Sequence, residues 1–195
     1  MKEYYDKRAP EYDDWWLQQG LFEARSRPSW RAERDRALEA VRALPAKRTL
    51  DVACGTGFVT RLLAGDVTGL DQSASMLSRA REQVPGARFV QGDGTLLPFE
   101  DGSFDRVFTS HFYGHLEEGD RVKFLEEARR VAPELVVFDA ALHEGEPRAE
   151  WQERVLNDGS RWTVYKRFFT ADGLVAELGG GTVLFEGDWF VLVAA

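Results

Sequence analysis

The chain holds a single cysteine, Cys54, among 195 residues, so no disulfide can close within it and a reducing, cytoplasmic setting is expected. Long apolar runs are missing too. Nothing approaches the ~20 residues of a membrane span, and the opening MKEYYDKRAPEYDDWW lacks the apolar stretch of a secretion signal. Basic charge is in deficit: 25 Lys and Arg stand against 33 Asp and Glu, a formal net charge of −8, with no basic cluster above that background. Binding nucleic acid normally requires such a cluster, so small molecules are the favoured partners and nucleic acid is not expected. Internal repeats, low-complexity tracts and ligand clusters at metal-site spacing are absent, so no metal is expected. What remains is 44% hydrophobic, enough for one substantial core. A single domain over 1–195 is the expectation.

Residues 1–30 mix charges with Tyr4, Tyr5, Tyr12, Trp15, Trp16, Phe22 and Trp30. Disordered tails are poor in aromatics, so this stretch predicts a helical flap. From Ser29 to Leu44 an amphipathic helix follows, with Leu38, Val41 and Leu44 on one face and Pro45 as its stop. The flap therefore occupies 1–44. Strand and helix patterns then alternate over 45–195. Strands are expected at Thr49–Ala53, Val67–Asp71, Arg88–Gln91, Phe104–Ser110 and Leu135–Asp139. Helices are expected at Phe58–Ala64, from the cap Ser73 to Val84, and at Gly119–Ala132. Such alternation means βαβ units and a mostly parallel sheet with helices on both faces.

The C-terminal part departs from that rhythm. Thr170 caps a short helix ending at Gly179-Gly180-Gly181, and two strand-like runs, Thr182–Phe185 and Trp189–Ala194, are joined only by Glu186-Gly187-Asp188. So short a connection holds no crossover helix, and the pair must be antiparallel. The expected fold is α/β: a doubly wound, mostly parallel seven-stranded sheet closed by a C-terminal antiparallel hairpin.

The chemistry concentrates at three strand ends. In Leu50-Asp51-Val52-Ala53-Cys54-Gly55-Thr56-Gly57 a strand runs into a tight glycine turn. Gly55 and Gly57 lack Cβ atoms, so a ligand can lie on the backbone, and free N–H groups beyond suit an anion. The second strand ends in Asp71, twenty positions after Asp51, where a carboxylate can accept from both hydroxyls of a ribose. The third ends in Gly92-Asp93-Gly94, one strand further along, where an adenine would lie if Asp71 held its ribose. A lone Gly-x-Gly is weak; the three together make a consistent nucleoside site.

LDVACGTG, GLDQS and QGDGTLLPFEDGSFDRVFTSH resemble, in series, the motifs of class I, Rossmann-like methyltransferases dependent on S-adenosylmethionine (SAM), over about residues 45–140. The resemblance implies SAM as cofactor. It assigns Asp51, Gly55 and Gly57 to the methionine part of SAM, Asp71 to the ribose, and Asp93 with Gly94 to the adenine. Ser110 and His111 would face the sulfonium and the acceptor. Tyr4, Arg8 and Tyr12, in YYDKRAPEY, resemble an N-terminal element that folds over the cofactor in many relatives. The segment 141–169, with Trp151, Trp162, Tyr165, Phe168 and Phe169 around an Asn157-Asp158-Gly159 turn, lies where relatives place substrate-covering insertions; sheet-edge packing is the other reading.

The implied reaction is methyl transfer to a small, partly apolar or cationic acceptor, its O, N or C centre open. If the acceptor must lose a proton, His111 and His115 are the candidate bases, because histidine titrates near neutrality. A structural role for each histidine remains open at this point. Two other functions share the strand–glycine–acid logic. A NAD-dependent oxidoreductase is opposed by Thr60 standing where the third fingerprint glycine belongs. A non-catalytic SAM-binding module acting through a partner would look the same in sequence. Oligomeric state is not legible.

Overall fold

The computed structural model describes residues 1–23 and 29–195; the part of the flap at 24–28 lies outside the described residues. Helix α1 (Lys2–Arg8) and a short α2 (Asp14–Leu17) precede α3 (Trp30–Arg42). Strands β1 (Thr49–Val52) and β2 (Val67–Asp71) lead to α4 (Ala74–Gln83), whose cap Ser73 accepts from the Met76 amide at 3.1 Å. Then come β3 (Arg88–Gln91), β4 (Arg106–Ser110), α5 (Glu118–Val131) and β5 (Glu134–Ala140). Two strands follow that the sequence analysis did not assign, β6 (Ala149–Val155) and β7 (Arg161–Arg167). Helix α6 (Ala171–Glu177) and the hairpin β8 (Thr182–Glu186) and β9 (Phe190–Ala194) close the chain.

The main sheet has seven strands in the order β3-β2-β1-β4-β5-β9-β8. The first five run parallel, and β9 is antiparallel to both β5 and β8. Alternation along the central strands divides the core into two layers, because successive side chains of a strand point to opposite faces. Val107, Val137, Val191 and Val193 pack with Phe124, Ala128 and Val131 of α5 and Leu174 of α6. Their neighbours Phe108, Val136, Phe138, Phe190 and Leu192 pack with Trp30, Ala37 and Val41 of α3 on the other face.

Trp16 belongs to this second layer, stacked 5.2 Å from Phe58 and 6.2 Å from Phe190. Glu33 is a larger departure from expectation. It is buried on α3 and its carboxylate accepts the amides of Asp188, Trp189 and Phe190 at 3.0, 2.6 and 3.1 Å, bolting the flap helix to the hairpin connection. A residue that reads as the solvent face of an amphipathic helix is thus an internal ligand for three orphan N–H groups.

One expected helix is corrected. Phe58–Ala64 contains only a single 3₁₀ turn, Thr60–Leu62. Seven residues barely exceed the costly nucleus of a helix, and β-branched Val59 and Thr60 add to that cost. The Thr60 hydroxyl is moreover committed to Asp51 at 2.6 Å. The strands β6 and β7 pair with each other, outside the main sheet, around the Asn157-Asp158-Gly159 turn, where Gly159 has φ +79°.

Candidate active site

The sheet order reverses between β1 and β4, and in open α/β sheets that switch point opens a crevice at the carboxyl ends of the strands. Here both strands leave the sheet through a non-glycine residue in the left-handed region, Ala53 at φ +59° after β1 and His111 at φ +52° after β4. Such backbone is unfavourable for L-residues and persists where the surroundings impose it, typically at functional sites.

After Ala53 the turn passes through Gly55, also left-handed at φ +56°. A Cβ there would stand 3.4 Å from the ring of Tyr12, so the flap tyrosine lies directly on the glycine loop. The Gly55 amide donates to Asp71 Oδ2 at 3.0 Å, and the Ser73 amide to Asp71 Oδ1 at 2.8 Å. The carboxylate at the end of β2 is thereby aimed and nearly buried, yet each oxygen keeps lone-pair capacity for a ligand. Burial pushes its pKa up against those two amides.

A cavity of about 290 Å³ follows this edge. Tyr12, Gly55, Asp71, Asp93, Gly94, Ser110, His111 and His115, all expected at the site, border it. Asp93 is exposed at its far end; its Oδ1 takes the Thr95 amide and hydroxyl, both at 2.8 Å, leaving Oδ2 for a donor. Gly94 is where it is because a Cβ would meet Val52 at 2.9 Å and Phe112 at 2.8 Å.

At this switch point three buried polar atoms have no hydrogen-bond partner among the described residues: Asp51 Oδ1, Ser110 Oγ and His111 Nε2. Asp51 and Ser110 meet at a small hollow closed by Tyr12 and Trp16, continuous in its Ala53 wall with the larger cavity. Burial raises the Asp51 carboxyl to about 7, against the Thr60 hydrogen bond. Partnerless buried polar atoms clustered at a cavity call for an explanation, and a ligand's donors supply one.

A second cavity, about 990 Å³, adjoins the first. The two share Tyr5, Tyr12, His111, His115 and Trp151. The His115 Nδ1 lies 2.6 Å from the carbonyl oxygen of Tyr165, so Nδ1 carries the proton and Nε2 holds a lone pair. Burial, and then Lys166, hold the His115 pKa well below the ordinary histidine value. His111 is pushed down to about 3, chiefly by burial.

A family profile described as a methyltransferase domain matches residues 50–134. The solved DhpI-SAM-HEP complex superposes with a TM-score of 0.78 at 29% identity, covering 98% of this chain and 94% of that one. A demethylmenaquinone methyltransferase from Thermotoga maritima is 38% identical over 103 residues, 50% of this chain and 44% of that protein. Another, from Renibacterium salmoninarum, is 36% identical over 130 residues, 65% and 52% of the two chains. These matches support a class I SAM-dependent methyltransferase family for residues 50–134 and the fold of the SAM-bound complex for the chain. The chain spans about half the length of the curated relatives it matches.

The residues fit the methyltransferase cofactor. The fixed carboxylate of Asp71 suits vicinal hydroxyls, the bare Gly55 backbone a close approach, and the orphaned Asp51 and Ser110 oxygens a donor such as an ammonium group. Three expected site residues stand elsewhere. Gly57, at φ +84°, faces α4, where a Cβ would meet Ala80 Cα at 3.3 Å. Tyr4 is buried beneath the β6–β7 hairpin with Leu156 and Val164. Arg8 borders the second cavity, not the first.

Tyr5 and Lys166 border the cavities without any expectation from the sequence, and Asp139 stands behind Lys166. Asp139, near the end of β5, accepts from Lys166 Nζ at 2.5 Å and from the amides of Gly114 and Ala140 at 2.8 and 2.7 Å. An acid ending a buried strand was the signal that found Asp71, and LVVFDA carries the same signal for Asp139. Nothing in sequence marks Lys166 as its partner.

Proposed function

We propose that this chain transfers a methyl group from SAM to a small-molecule acceptor held in the second cavity. The observation that carries this reading is the shared wall: a cofactor-sized cavity and an acceptor-sized one meet at Tyr5, Tyr12, His111, His115 and Trp151. When bound, SAM supplies a methyl group on a positively charged sulfur, which leaves as a neutral thioether. The chain then has mainly to align, to exclude water and, for a protic acceptor, to take a proton.

Asp71, Gly55, Asp51, Ser110 and Asp93 hold the cofactor in this reading. His115, bordering both cavities with Nε2 unprotonated, is the candidate base in this reading. His111, with Nε2 buried and partnerless, is a contact for the bound molecules. Tyr12 and Tyr5 screen the junction from water. Residues 1–195 act as one domain, with 1–44 as its cover and 141–169 as the acceptor-side wall. Nucleic acid is not a partner in this reading, and buried, unpaired Cys54 fits a cytoplasmic setting. Among the described residues no helix is long and apolar enough to cross a membrane.

Isothermal titration with SAM, SAH, NAD and NADP tests the cofactor reading, and radiolabelled methyl transfer from SAM into a metabolite extract tests the activity. Micromolar-range binding of SAM and SAH, silent NAD and NADP, and label in a small molecule are expected. NAD binding with silent SAM would make this an oxidoreductase. SAM binding with no label in any small molecule would leave a binding module.

A further inference from the structure

Arg8 is a half-buried guanidinium with no carboxylate in ion-pair range among the described residues. Its one side-chain hydrogen bond goes from Nη1 to the Tyr4 hydroxyl at 2.7 Å. Its carbon Cζ lies 4.9 Å from the Tyr12 ring centroid and 5.6 Å from that of Tyr4. Aromatic stacking holds the plane of an arginine while leaving donors in its fork unspent. Those donors have a place to point, since Arg8 borders the second cavity.

The charged side chains around that cavity differ by sign in their burial. Arg8, Lys166 and the histidines His111, His115 and His143 border it, and behind Lys166 lies Asp139, which accepts from that lysine and from two amides. The carboxylates Glu146, Glu150, Glu153 and Asp188 border it from exposed positions, and Glu153 is paired with Arg161 at 2.5 Å. Arg154, also bordering it, donates to the Gln152 side chain. The cationic side chains of this lining are thus half-buried or buried, beside aromatic side chains, while its carboxylates are exposed.

We infer that the methyl acceptor is a small organic acid, and that Arg8 binds its oxyanion (a carboxylate or phosphoryl group) in the second cavity. This rests on the methyltransferase reading above and replaces the apolar or cationic acceptor expected from composition. A planar fork with free donors matches an oxyanion bidentately, which a neutral or cationic acceptor would waste. The same interaction sets the acceptor's orientation, because Arg8 and His115 border one cavity and His115 also borders the cofactor cavity. Arg8 is therefore an acceptor-binding residue and not a cofactor contact.

The test is binding, read by amide and arginine side-chain NMR shifts on the SAH-saturated protein. The probes are inorganic phosphate, acetate, ethanol and tetramethylammonium. Phosphate or acetate should bind saturably at the second cavity, and which one binds tighter tells a phosphoryl from a carboxylate acceptor. Arg8→Gln should weaken that binding about 10-fold or more, with Arg8→Lys intermediate and SAH affinity within threefold of wild type. Tighter binding of tetramethylammonium or ethanol overturns the inference. So does phosphate and acetate binding that is indifferent to Arg8→Gln, or a loss of SAH affinity that matches the loss of anion affinity. Should Arg8→Gln fail to fold, Arg8→Lys and the wild-type probe ranking still decide it. A wild-type protein that binds no SAH defeats the methyltransferase reading instead, and the anion arm is then read without it.

Discussion

Lys166 Nζ lies 2.5 Å from Asp139 Oδ1, with 6% of the lysine side chain and none of the aspartate exposed. The pair ties β7, outside the main sheet, to the end of β5 inside it. The lysine holds the Asp139 carboxyl below its usual range despite burial. Removing one partner of a buried pair leaves the other charge uncompensated, which typically costs about 3–5 kcal/mol. Lys166→Met is expected to lose stability on that scale in urea unfolding, and Lys166→Met with Asp139→Asn to lose less than the two single losses together. A Lys166→Met loss under about 1 kcal/mol would show that the hairpin is not anchored by this contact.

Asp71→Asn keeps the shape of the side chain but loses the charge and half of the acceptor capacity. Hydrogen bonds to a charged group contribute about 1.5–3 kcal/mol. SAM affinity should therefore fall roughly 10- to 100-fold by isothermal titration, while circular dichroism stays that of the wild type. Wild-type affinity in this variant would reduce Asp71 to a structural clamp for the Gly55 and Ser73 amides.

His111 makes stability depend on pH. Its folded pKa, about 3, lies below its ordinary 6.5, so between those values the unfolded chain binds a proton that the folded one does not. The stabilisation is complete above about 6.5 and is lost as pH falls toward about 3. His111→Asn tolerates the left-handed backbone and removes the titration. Between pH 6.5 and 4.5 the wild type should lose stability relative to this variant by up to about 1.4 kcal/mol per pH unit. Asp51 contributes the opposite slope, because the folded state holds its proton up to about 7, but it does so in both proteins and cancels. Parallel pH profiles from thermal melts would mean that His111 keeps its proton in the fold.

The N-terminal segment divides into two parts with different exchange behaviour. Trp15 and Trp16 pack among Trp30, Phe58, His111 and Phe190, which makes them core in either state. Tyr5 and Tyr12 border the cavities; α1 is pinned by Ser73 Oγ donating to Asp6 Oδ1 at 2.6 Å, and the turn after it by Asn157 N donating to Glu11 Oε2 at 2.8 Å. Hydrogen–deuterium exchange should show SAM-dependent protection over Tyr4–Tyr12 and slow exchange at Trp15–Trp16 with or without SAM. Equal, slow exchange throughout would make the whole segment fixed structure and not a lid.

The alternation of strands and helices, the antiparallel ending, the glycine turn and the acids at Asp71 and Asp93 are all legible in the sequence. Each is a local pattern: a period of 2 or 3.6, a turn that needs φ > 0, or a charge at the end of an apolar run. The helix expected at Phe58–Ala64 failed because Thr60 answers to Asp51, nine positions away, and not to its own helical neighbours. The β6–β7 strands escaped notice because their alternation is mostly polar, with Trp151 and Val155 on exposed positions.

Sequence alone therefore determined the fold class and the strand ends that carry the candidate cofactor site. Tertiary structure decided which of the named residues border the cavity there. It turned Gly57 toward α4, put Tyr4 under the hairpin, set Arg8 on the second cavity and joined Lys166 to Asp139, 27 positions apart. It also sent Glu33 to the amides of Asp188, Trp189 and Phe190, more than 150 positions away. Spacing along a chain specifies periodicity and backbone conformation, but the partner of a buried charge is set by sheet order and register, which bring distant segments within hydrogen-bonding distance only once the whole sheet has formed.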